Sequence, residues 1–186
     1  MASPDAGPAG VGSGAGVGSV AFREAELDDA PAIAEVHVAS WRWAYRGQLA
    51  DETLDALDVA EREVRWREAI SDPATIVLVA VVDSSIAGFV SAGPTDDDDA
   101  PPIIGELYAI YLEERVAGSG VGRGLLERAV DGLRSAGFKR ASLWVLDSNE
   151  RARRFYERAG WAWDGKRSSH QVQCSNMPVV RYARNL

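Results

Sequence analysis

The sequence has one cysteine, no apolar run long enough to cross a bilayer, and too few positive charges to balance its negative ones. A lone Cys174 excludes an intramolecular disulfide and a multi-cysteine metal site, and it is typical of a reducing compartment. Formal net charge is -8, so the protein repels polyanions and nucleic acid is not an expected partner. We therefore expect a cytoplasmic protein with no metal and no membrane partner.

Two common phosphate-binding motifs are also missing. A Walker loop ends in Gly-Lys-Ser/Thr, and the sequence contains no such tripeptide. The dinucleotide pattern G-x-G-x-x-G fails because Arg123 and Leu125 stand where its third glycine is required. These absences exclude a P-loop nucleotide triphosphatase and argue against a Rossmann enzyme.

Length and composition predict one folded domain with a tail. A chain of 186 residues with 46% apolar residues is long enough to bury a single core. Residues 1–19 are almost entirely Gly, Ala, Ser, Pro and Val, and such a segment has few side chains with which to offset its ordering entropy. We predict a disordered tail over residues 1–19 and a single domain over residues 20–186.

Hydrophobic patterning predicts an α/β fold with a mixed sheet. Strands are predicted at residues 20–25, 75–82, 86–90, 106–112 and 141–146, with a terminal hairpin from residues 171–173 and 179–182. Helices are predicted from Pro31 to about Ser40, over residues 53–70, from the glycine-rich turn to Gly137, and over residues 149–159. Hairpins fill the first half, and a βαβ crossover lies in the second.

A glycine-rich turn lies between a predicted strand and an amphipathic helix. Gly118, Gly120 and Gly122 allow successive backbone amides to approach one anion, and the helix dipole adds partial positive charge there. This arrangement is typical of a phosphate or pyrophosphate site. A plain tight turn is the alternative.

This turn resembles the central motif of the GNAT superfamily of acetyltransferases, which reads Arg/Gln-x-x-Gly-x-Gly/Ala. In the preferred register Ala117 stands where the family usually has Arg or Gln, and Gly120 and Gly122 are its two glycines. Arg115, Gly118 and Gly120 fit the same pattern two residues earlier. The later register leaves residues 123–126 as the first helical turn, as in family members.

A second motif supports the resemblance. Asn149, Ala152, Phe155-Tyr156-Glu157 and Gly160-Trp161 match the family pattern N-x-x-A-x-x-F-Y-E-x-x-G-F, with Trp161 in place of Phe. The likeness covers about residues 20–186 and is strongest over residues 106–161. It implies the GNAT acyl-CoA N-acyltransferase fold, in which helices flank a central mixed, mostly antiparallel sheet with a splayed parallel strand pair.

The resemblance also implies acetyl-CoA as co-substrate and assigns residues to it. The pantetheine arm would pair with the backbone around Ile110 and Leu112. Asn149 would hydrogen-bond the pantetheine, cap the helix, or do both. The residues expected to contact the cofactor phosphates are Ala117, Gly118, Ser119, Gly120, Val121, Gly122 and Arg123.

Two side chains are predicted to move protons. Tyr156, whose phenol has an ordinary pKa of about 10, would face the cofactor sulfur and protonate the departing thiolate. Glu106 would take the proton of the amine directly or through water, and it would also contact the acceptor. Its position at the strand start puts it on the same alternating face as Tyr108 and Ile110. His37 is another candidate base by its ordinary pKa, although a lone histidine on a helix is usually structural.

The acceptor would be a primary amine of a small molecule or a peptide. Trp41 and Tyr45, within a Trp-x-x-x-Tyr-x-Gly pattern seen in some bacterial family members, would line its pocket through cation-π contacts, or else lie in the core. Residues 96–99, all aspartate, would draw a cationic amine inward or form a solvated loop.

The leading hypothesis is direct transfer of an acetyl group from acetyl-CoA to this amine. A non-catalytic acyl-CoA-binding or sensing domain with the same fold is one alternative. A phosphate-binding module unrelated to CoA is another. A homodimer is compatible with all of them.

Overall fold

The structure is a computed structural model, and it describes residues 5–6, 18–47, 50–97, 100–172 and 175–186, without the side chains of residues 5, 6, 171, 172 and 175. Within these ranges no helix is both long and apolar enough to span a membrane. The same ranges contain no cluster of three or more His, Cys, Asp or Glu side chains that is arranged to hold a metal ion.

One mixed sheet forms the centre of the fold. Its strands are β1 (Asp5–Ala6), β2 (Val20–Glu24), β3 (Ile76–Val82), β4 (Ser85–Pro94), β5 (Ile104–Leu112), β6 (Arg140–Leu146), β7 (Ala162–Val172) and β8 (Ser175–Asn185). Their order is β2-β3-β4-β5-β6-β8-β7, and β1 pairs separately with β5. Only the β5–β6 and β1–β5 pairs are parallel, which confirms the predicted mixed, mostly antiparallel sheet.

Helices cover both faces of the sheet. The bounds are α1 (Ala30–Ala44), α2 (Asp51–Asp55), α3 (Val59–Ser71), α4 (Val121–Ser135) and α5 (Glu150–Arg158). Helices α1, α2 and α3 pack through one hydrophobic cluster with Val79, Phe89 and Tyr111 of the sheet. Helices α4 and α5 pack through a second cluster that includes Ile110 and Leu143. The α/β class predicted from the sequence is confirmed.

The helical segment predicted over residues 53–70 is two helices. Helix α2 ends at Asp55. Asp58 then has extended backbone, and its side chain accepts a hydrogen bond from the amide of Ala60 at 2.8 Å and so caps α3. Asp58 is followed three residues later by Glu61, a spacing typical of a helix start. The predicted turn of the β3–β4 hairpin is confirmed, with Asp83 and Ser84 at positive φ.

A β-bulge in β5 changes which side chains share a face. Ser91 of β4 pairs with Ala109, whereas Ala92 pairs with Leu107, so Tyr108 is an extra residue in β5. The prediction that Glu106, Tyr108 and Ile110 share one face is therefore wrong. Ile110 packs in the cluster on the α4 side, and Tyr108 faces the side of α1 and α3.

The parallel strands β5 and β6 separate part of the way along. They pair only from Ile104–Arg140 to Leu107–Leu143, after which β5 continues with β4 and β6 continues with β8. Strand β1 lies in this opening, where Asp5 and Ala6 pair with Ala109 and Ile110. The rest of the segment predicted as a tail, apart from residues 18 and 19, lies outside the described residues.

Candidate active site

The glycine-rich turn ends at the N-terminus of α4. Gly118 and Gly120 have φ of 81° and 93°, a left-handed conformation that favours glycine. An added Cβ at Gly120 would meet no atom within 4 Å, so the requirement for glycine there is conformational rather than steric. The first helical hydrogen bond runs from the Gly124 amide to the Gly120 carbonyl at 3.0 Å. The amides of residues 121–123 therefore precede the helical ladder and point out of the helix end.

The side chains around this turn are engaged with neighbours. Ser119 donates from its hydroxyl to the Val116 carbonyl at 2.6 Å, which fixes the loop, and Arg123 pairs with Glu127 at 2.8 Å. The helix begins at Val121, two residues before the predicted first turn, because Gly120 already provides the N-cap conformation. Ala117 lies just before the turn in extended backbone. An anion at this position would meet mainly backbone N–H groups.

The opening between β5 and β6 leads from this turn into the α4 face of the sheet. Ile110 and Leu112 are buried there in the same cluster as Tyr156, whose side chain is fully buried. The carbonyl of Leu112 already accepts a hydrogen bond from the Ser40 hydroxyl at 2.7 Å. Because β1 pairs at Ala109 and Ile110, a pantetheine arm and β1 cannot use the same backbone groups at once.

Asn149 caps a helix, which is one of the two roles predicted for it. Its Oδ1 accepts a hydrogen bond from the Ala152 amide at 3.0 Å, so it is the N-cap of α5. The cap fixes the start of the helix that carries Tyr156 about two turns further on. Phe155 and Trp161 pack edge-on against the Tyr156 ring, with centroids 5.1 and 6.2 Å away. The second motif thus forms a rigid wall beside the opening.

A cavity of about 690 Å³ lies on the opposite side of β5, beneath α1 and α3. Tyr108 and Ala109 reach it from the bulge of β5, and Ser91 reaches it from β4. Its other lining residues include His37, Arg62, Arg65, Trp66, Glu68, Asp72, Thr75 and Asp96. Strand β5 therefore separates the opening at β6 from a cavity large enough for a small molecule.

Glu106 is a buried carboxyl two residues before Tyr108. Only 3% of its surface is exposed, and its Oε2 accepts a hydrogen bond from the Thr95 hydroxyl at 2.6 Å. Burial, opposed by the Thr95 hydrogen bond and Arg181 and assisted by Asp97 and Asp96, raises the pKa of Glu106 to about 7. A carboxyl with this pKa exchanges protons readily near neutral pH, which is the property a general base needs.

Tyr108 is held in place beside Glu106. Its hydroxyl donates a hydrogen bond to the Pro94 carbonyl. Burial, with the negative charges of Glu106 and Asp96, raises the pKa of the Tyr108 phenol above its ordinary value. Tyr108 therefore stays protonated at neutral pH and forms a fixed wall of the cavity.

The acidic loop is partly anchored. Asp96 lines the cavity. Asp97 instead forms an ion pair with Arg181 at 2.7 Å and accepts a hydrogen bond from the Trp144 indole at 3.2 Å. Asp98 and Asp99 lie outside the described residues. The anchored part holds Thr95 against Glu106, so this loop supports the buried carboxyl.

The predicted aromatic wall is not part of the cavity. Trp41 and Tyr45 are 4% and 1% exposed and pack edge-on against each other in the core between α1 and the sheet, at 5.2 Å. Neither ring lines the cavity, because successive turns of α1 direct them towards the sheet. Of the two placements that the sequence left open for Trp41 and Tyr45, pocket wall or core, the structure has the core.

His37 lies at the cavity, but it is unsuited to act as a base. It is 3% exposed, and burial, together with the positive charges of Arg62 and Arg65, lowers its pKa to about 3. Its Nδ1 accepts a hydrogen bond from the Trp66 indole at 3.2 Å. Of the two candidate bases, Glu106 has the pKa that the task requires.

Several residues of the site were not predicted from the sequence. Thr95, Tyr108 and Arg181 come from a loop, a bulge and the last strand, and none stands in a motif. Their roles depend on the β4–β5 register and on the position of β8 beside β6, which no local pattern encodes.

Comparisons with known proteins agree with this architecture. The 38% identical YuaI of Bacillus subtilis (strain 168), an uncharacterized N-acetyltransferase, aligns over 131 residues that cover 70% of this chain and 73% of that protein. A mycothiol acetyltransferase of Propionibacterium freudenreichii is 30% identical over 141 residues, 76% of this chain and 41% of that longer protein.

A solved structure shares the fold. The PaiA N-acetyltransferase of Thermoplasma acidophilum, in complex with coenzyme A, superposes with a TM-score of 0.72 at 21% identity, covering 90% of this chain and 99% of that one. The sequence profile of the Acetyltransferase (GNAT) family matches residues 31–161, a segment that contains the glycine-rich turn, Glu106 and the second motif. The chain is therefore an acyltransferase that belongs to the GNAT family of N-acetyltransferases.

Proposed function

We propose that this protein transfers an acetyl group from acetyl-CoA directly to a primary amine of a small molecule or peptide. The observation that carries the proposal is the position of Glu106. This buried carboxyl, with a pKa near neutrality, stands at the start of β5, the strand that separates the opening at β6 from the cavity beneath α1 and α3.

The described residues fit acetyl-CoA. Gly118 and Gly120 give the turn the left-handed backbone that lets amides approach a phosphate, and residues 121–123 present helix N-terminal amides. Ala117 brings no charge to this site, so Arg123 is the nearest candidate for a side-chain contact, provided that it leaves Glu127. The β5–β6 opening at Ile110 and Leu112 would take the pantetheine arm.

Acetyl-CoA supplies the acetyl thioester, and the protein supplies proton transfer and positioning. An alkyl ammonium has a pKa of about 10.4 and is a poor nucleophile at pH 7, so a proton acceptor is required. Glu106 would accept the proton directly or through water as the amine nitrogen bonds to the acyl carbon. Tyr156 would donate its phenolic proton to the sulfur as the carbon–sulfur bond breaks.

The remaining parts of the site serve the acceptor. Asp96 places negative charge at the cavity, which favours entry of a cationic amine. Tyr108 and Ser91 shape the wall next to the bulge. We infer that a single domain over residues 20–186 carries out this reaction in the cytoplasm.

The test is an amine library assayed with acetyl-CoA, with release of free thiol as the readout. We expect turnover above background for at least one primary amine, and a fall in rate for Tyr156→Phe. Tight CoA binding by calorimetry with no turnover on any amine would support the alternative of a non-catalytic acyl-CoA-binding domain. Failure of CoA to raise the melting temperature would contradict both.

A further inference from the structure

The cavity beneath α1 and α3 has two chemically different ends. At the β5 bulge, Asp96 and Tyr108 lie beside the proton-accepting Glu106. Between α1 and α3 the lining includes His37, Trp66 and the arginines Arg62 and Arg65, with Glu68 and Ala69 further along α3. If the amino group of an acceptor molecule reacts at the bulge, the opposite end of that molecule would therefore lie beside the N–H donors of His37, Arg62 and Arg65.

His37 offers one of these donors. An indole N–H can only donate, so Nδ1 of His37 is the acceptor from Trp66, and the proton of the neutral ring is on Nε2. This Nε2 is buried and has no hydrogen-bond partner in the part of the chain that the structure describes. A buried N–H without a partner costs free energy, which a ligand oxygen would recover.

The arginines supply positive charge at the same end. Both lower the pKa of His37, so their guanidinium groups lie near its ring. Arg62 is half-buried and its guanidinium lies 5.7 Å from the centre of the Trp41 ring. Arg65 is more exposed and pairs with Glu61. A guanidinium fork matches the two oxygens of a carboxylate.

The acidic lining residues do not cancel this charge at the His37 end. The carboxylate of Asp72 accepts hydrogen bonds from the Ala74 amide and the Thr75 hydroxyl, at 3.0 and 2.8 Å. Asp96 belongs to the loop at the other end, next to Glu106. Glu68 is exposed on α3 and does not contribute to lowering or raising the pKa of His37.

We propose that the acceptor carries a carboxylate at the end opposite its amine, and that His37 Nε2 and Arg62 bind this carboxylate. The inference rests on the proposed function because it assumes that the amine reacts beside Glu106. It names the acceptor class as a zwitterion with separated charges, of which a short peptide is the simplest example.

The spacing sets the length of this acceptor. His37 stacks on Tyr111 at 4.8 Å, and Tyr111 is three residues beyond Tyr108 in β5. Three strand residues span roughly 10 Å. An extended peptide of about two to three residues covers the same distance, at roughly 3.3 to 3.6 Å per residue. A free amino acid is too short to reach both ends.

The experiment compares acids with matched amides. Glycine, diglycine and triglycine are each assayed beside their C-terminal carboxamides, with acetyl-CoA as donor, and kcat/KM is measured for every member. For the two- and three-residue peptides we expect the acid to exceed the amide by about tenfold to a hundredfold, the effect of a charged hydrogen bond. For glycine we expect a ratio near one when kcat/KM is expressed per concentration of unprotonated amine, because the amines of glycine and its carboxamide differ in pKa.

Variants locate the preference. Arg62→Gln should bring the acid-to-amide ratio of diglycine and triglycine close to one, and Arg62→Lys should leave an intermediate ratio because it keeps the charge and loses the fork. The matched control is Arg154→Gln on α5, an arginine with an i,i+4 partner, Glu150, and no place in the cavity. It should keep the native ratio.

Two results would overturn the inference: amides that react as well as the acids at every length, or a native ratio that survives in Arg62→Gln. If none of these peptides is acetylated, the proposed function fails for them, while the inference is still decided by affinity. Dissociation constants of each acid and amide for the CoA-loaded protein, from NMR titration, support it if the acids bind tighter and contradict it if the pairs bind equally.

Discussion

The proposed donor opening and the proposed acceptor cavity lie on either side of β5 and are built in different ways. The opening is made of backbone: left-handed glycines, the amides at the start of α4 that precede its helical hydrogen bonds, and the separation of β5 from β6. The cavity is made of side chains from α1, α3 and the β4–β5 loop. Backbone geometry suits a donor common to a whole family, and side chains suit one particular acceptor.

The largest expected effect comes from the side-chain region. Glu106→Gln keeps the shape and the partner of Thr95 but removes the proton acceptor, so we expect kcat/KM to fall by about 10²- to 10⁴-fold with little change in CoA affinity. The measurement is thiol release with the best amine of the library, beside CoA calorimetry. Glu52→Gln, an exposed carboxyl on α2, should behave as native. If Glu106→Gln lowered CoA affinity as much as it lowers kcat/KM, the proposed separation of the donor opening from the acceptor cavity would be wrong.

The same substitution should stabilise the fold. The pKa of Glu106 is about 7 in the folded protein and about 4.5 when unfolded, so the carboxylate destabilises the fold progressively as pH rises through this window. Glu106→Gln should raise the free energy of unfolding by at most about 3 kcal/mol at pH 8 and by little at pH 4.5. Urea unfolding at the two pH values checks this, and a pH-independent difference would contradict the cause given.

Substitution of Tyr156 tests whether the opening between β5 and β6 contributes a side chain to catalysis. Tyr156→Phe keeps the packing with Trp161 and removes the phenolic proton, so we expect kcat to fall by about tenfold to a hundredfold while the CoA dissociation constant changes little. Tyr182→Phe is the control, since that hydroxyl serves a structural network by donating to Glu157 at 2.7 Å. Similar turnover in native protein and Tyr156→Phe would remove Tyr156 from the mechanism.

The smallest expected effect isolates the backbone contribution. Gly120 and Gly137 lie beyond opposite ends of α4, have φ of 93° and 97°, and have open space where a Cβ would stand. Alanine at either position should cost about 1 to 2 kcal/mol of stability. Only Gly120→Ala should weaken CoA binding, by about tenfold, because only that end presents amides to an anion. Equal CoA affinities of the two variants would contradict the phosphate site.

The sequence predicted the backbone region better than the side-chain region. The strand, glycine turn and helix stand next to one another along the chain, and the second motif lies one strand further on, so local patterns were sufficient. Asn149 was correctly recognised as a possible helix cap. The division of residues 53–70 into two helices was missed, although Asp58 and Glu61 carry a signal for it.

The acceptor side needed the three-dimensional structure. One extra residue at Tyr108 moves Ile110 to the opposite face, and nothing local in β5 marks it. The pKa of Glu106 depends on burial and on Thr95, Asp96, Asp97 and Arg181, which converge only when the sheet forms. The aromatic rings of Trp41 and Tyr45 pack in the hydrophobic core and do not line the cavity. The cytoplasmic location stays a prediction.

The central claim is that Glu106 accepts the proton of the amine, and one pH series tests it most directly. The ratio of native to Glu106→Gln kcat/KM, measured with one amine from pH 5.5 to 9, cancels the ionisation of the amine itself. Because the base form of Glu106 is the carboxylate, the ratio should rise by about tenfold per pH unit below its pKa of about 7 and level off above it. A ratio that stays constant across the series would contradict the account.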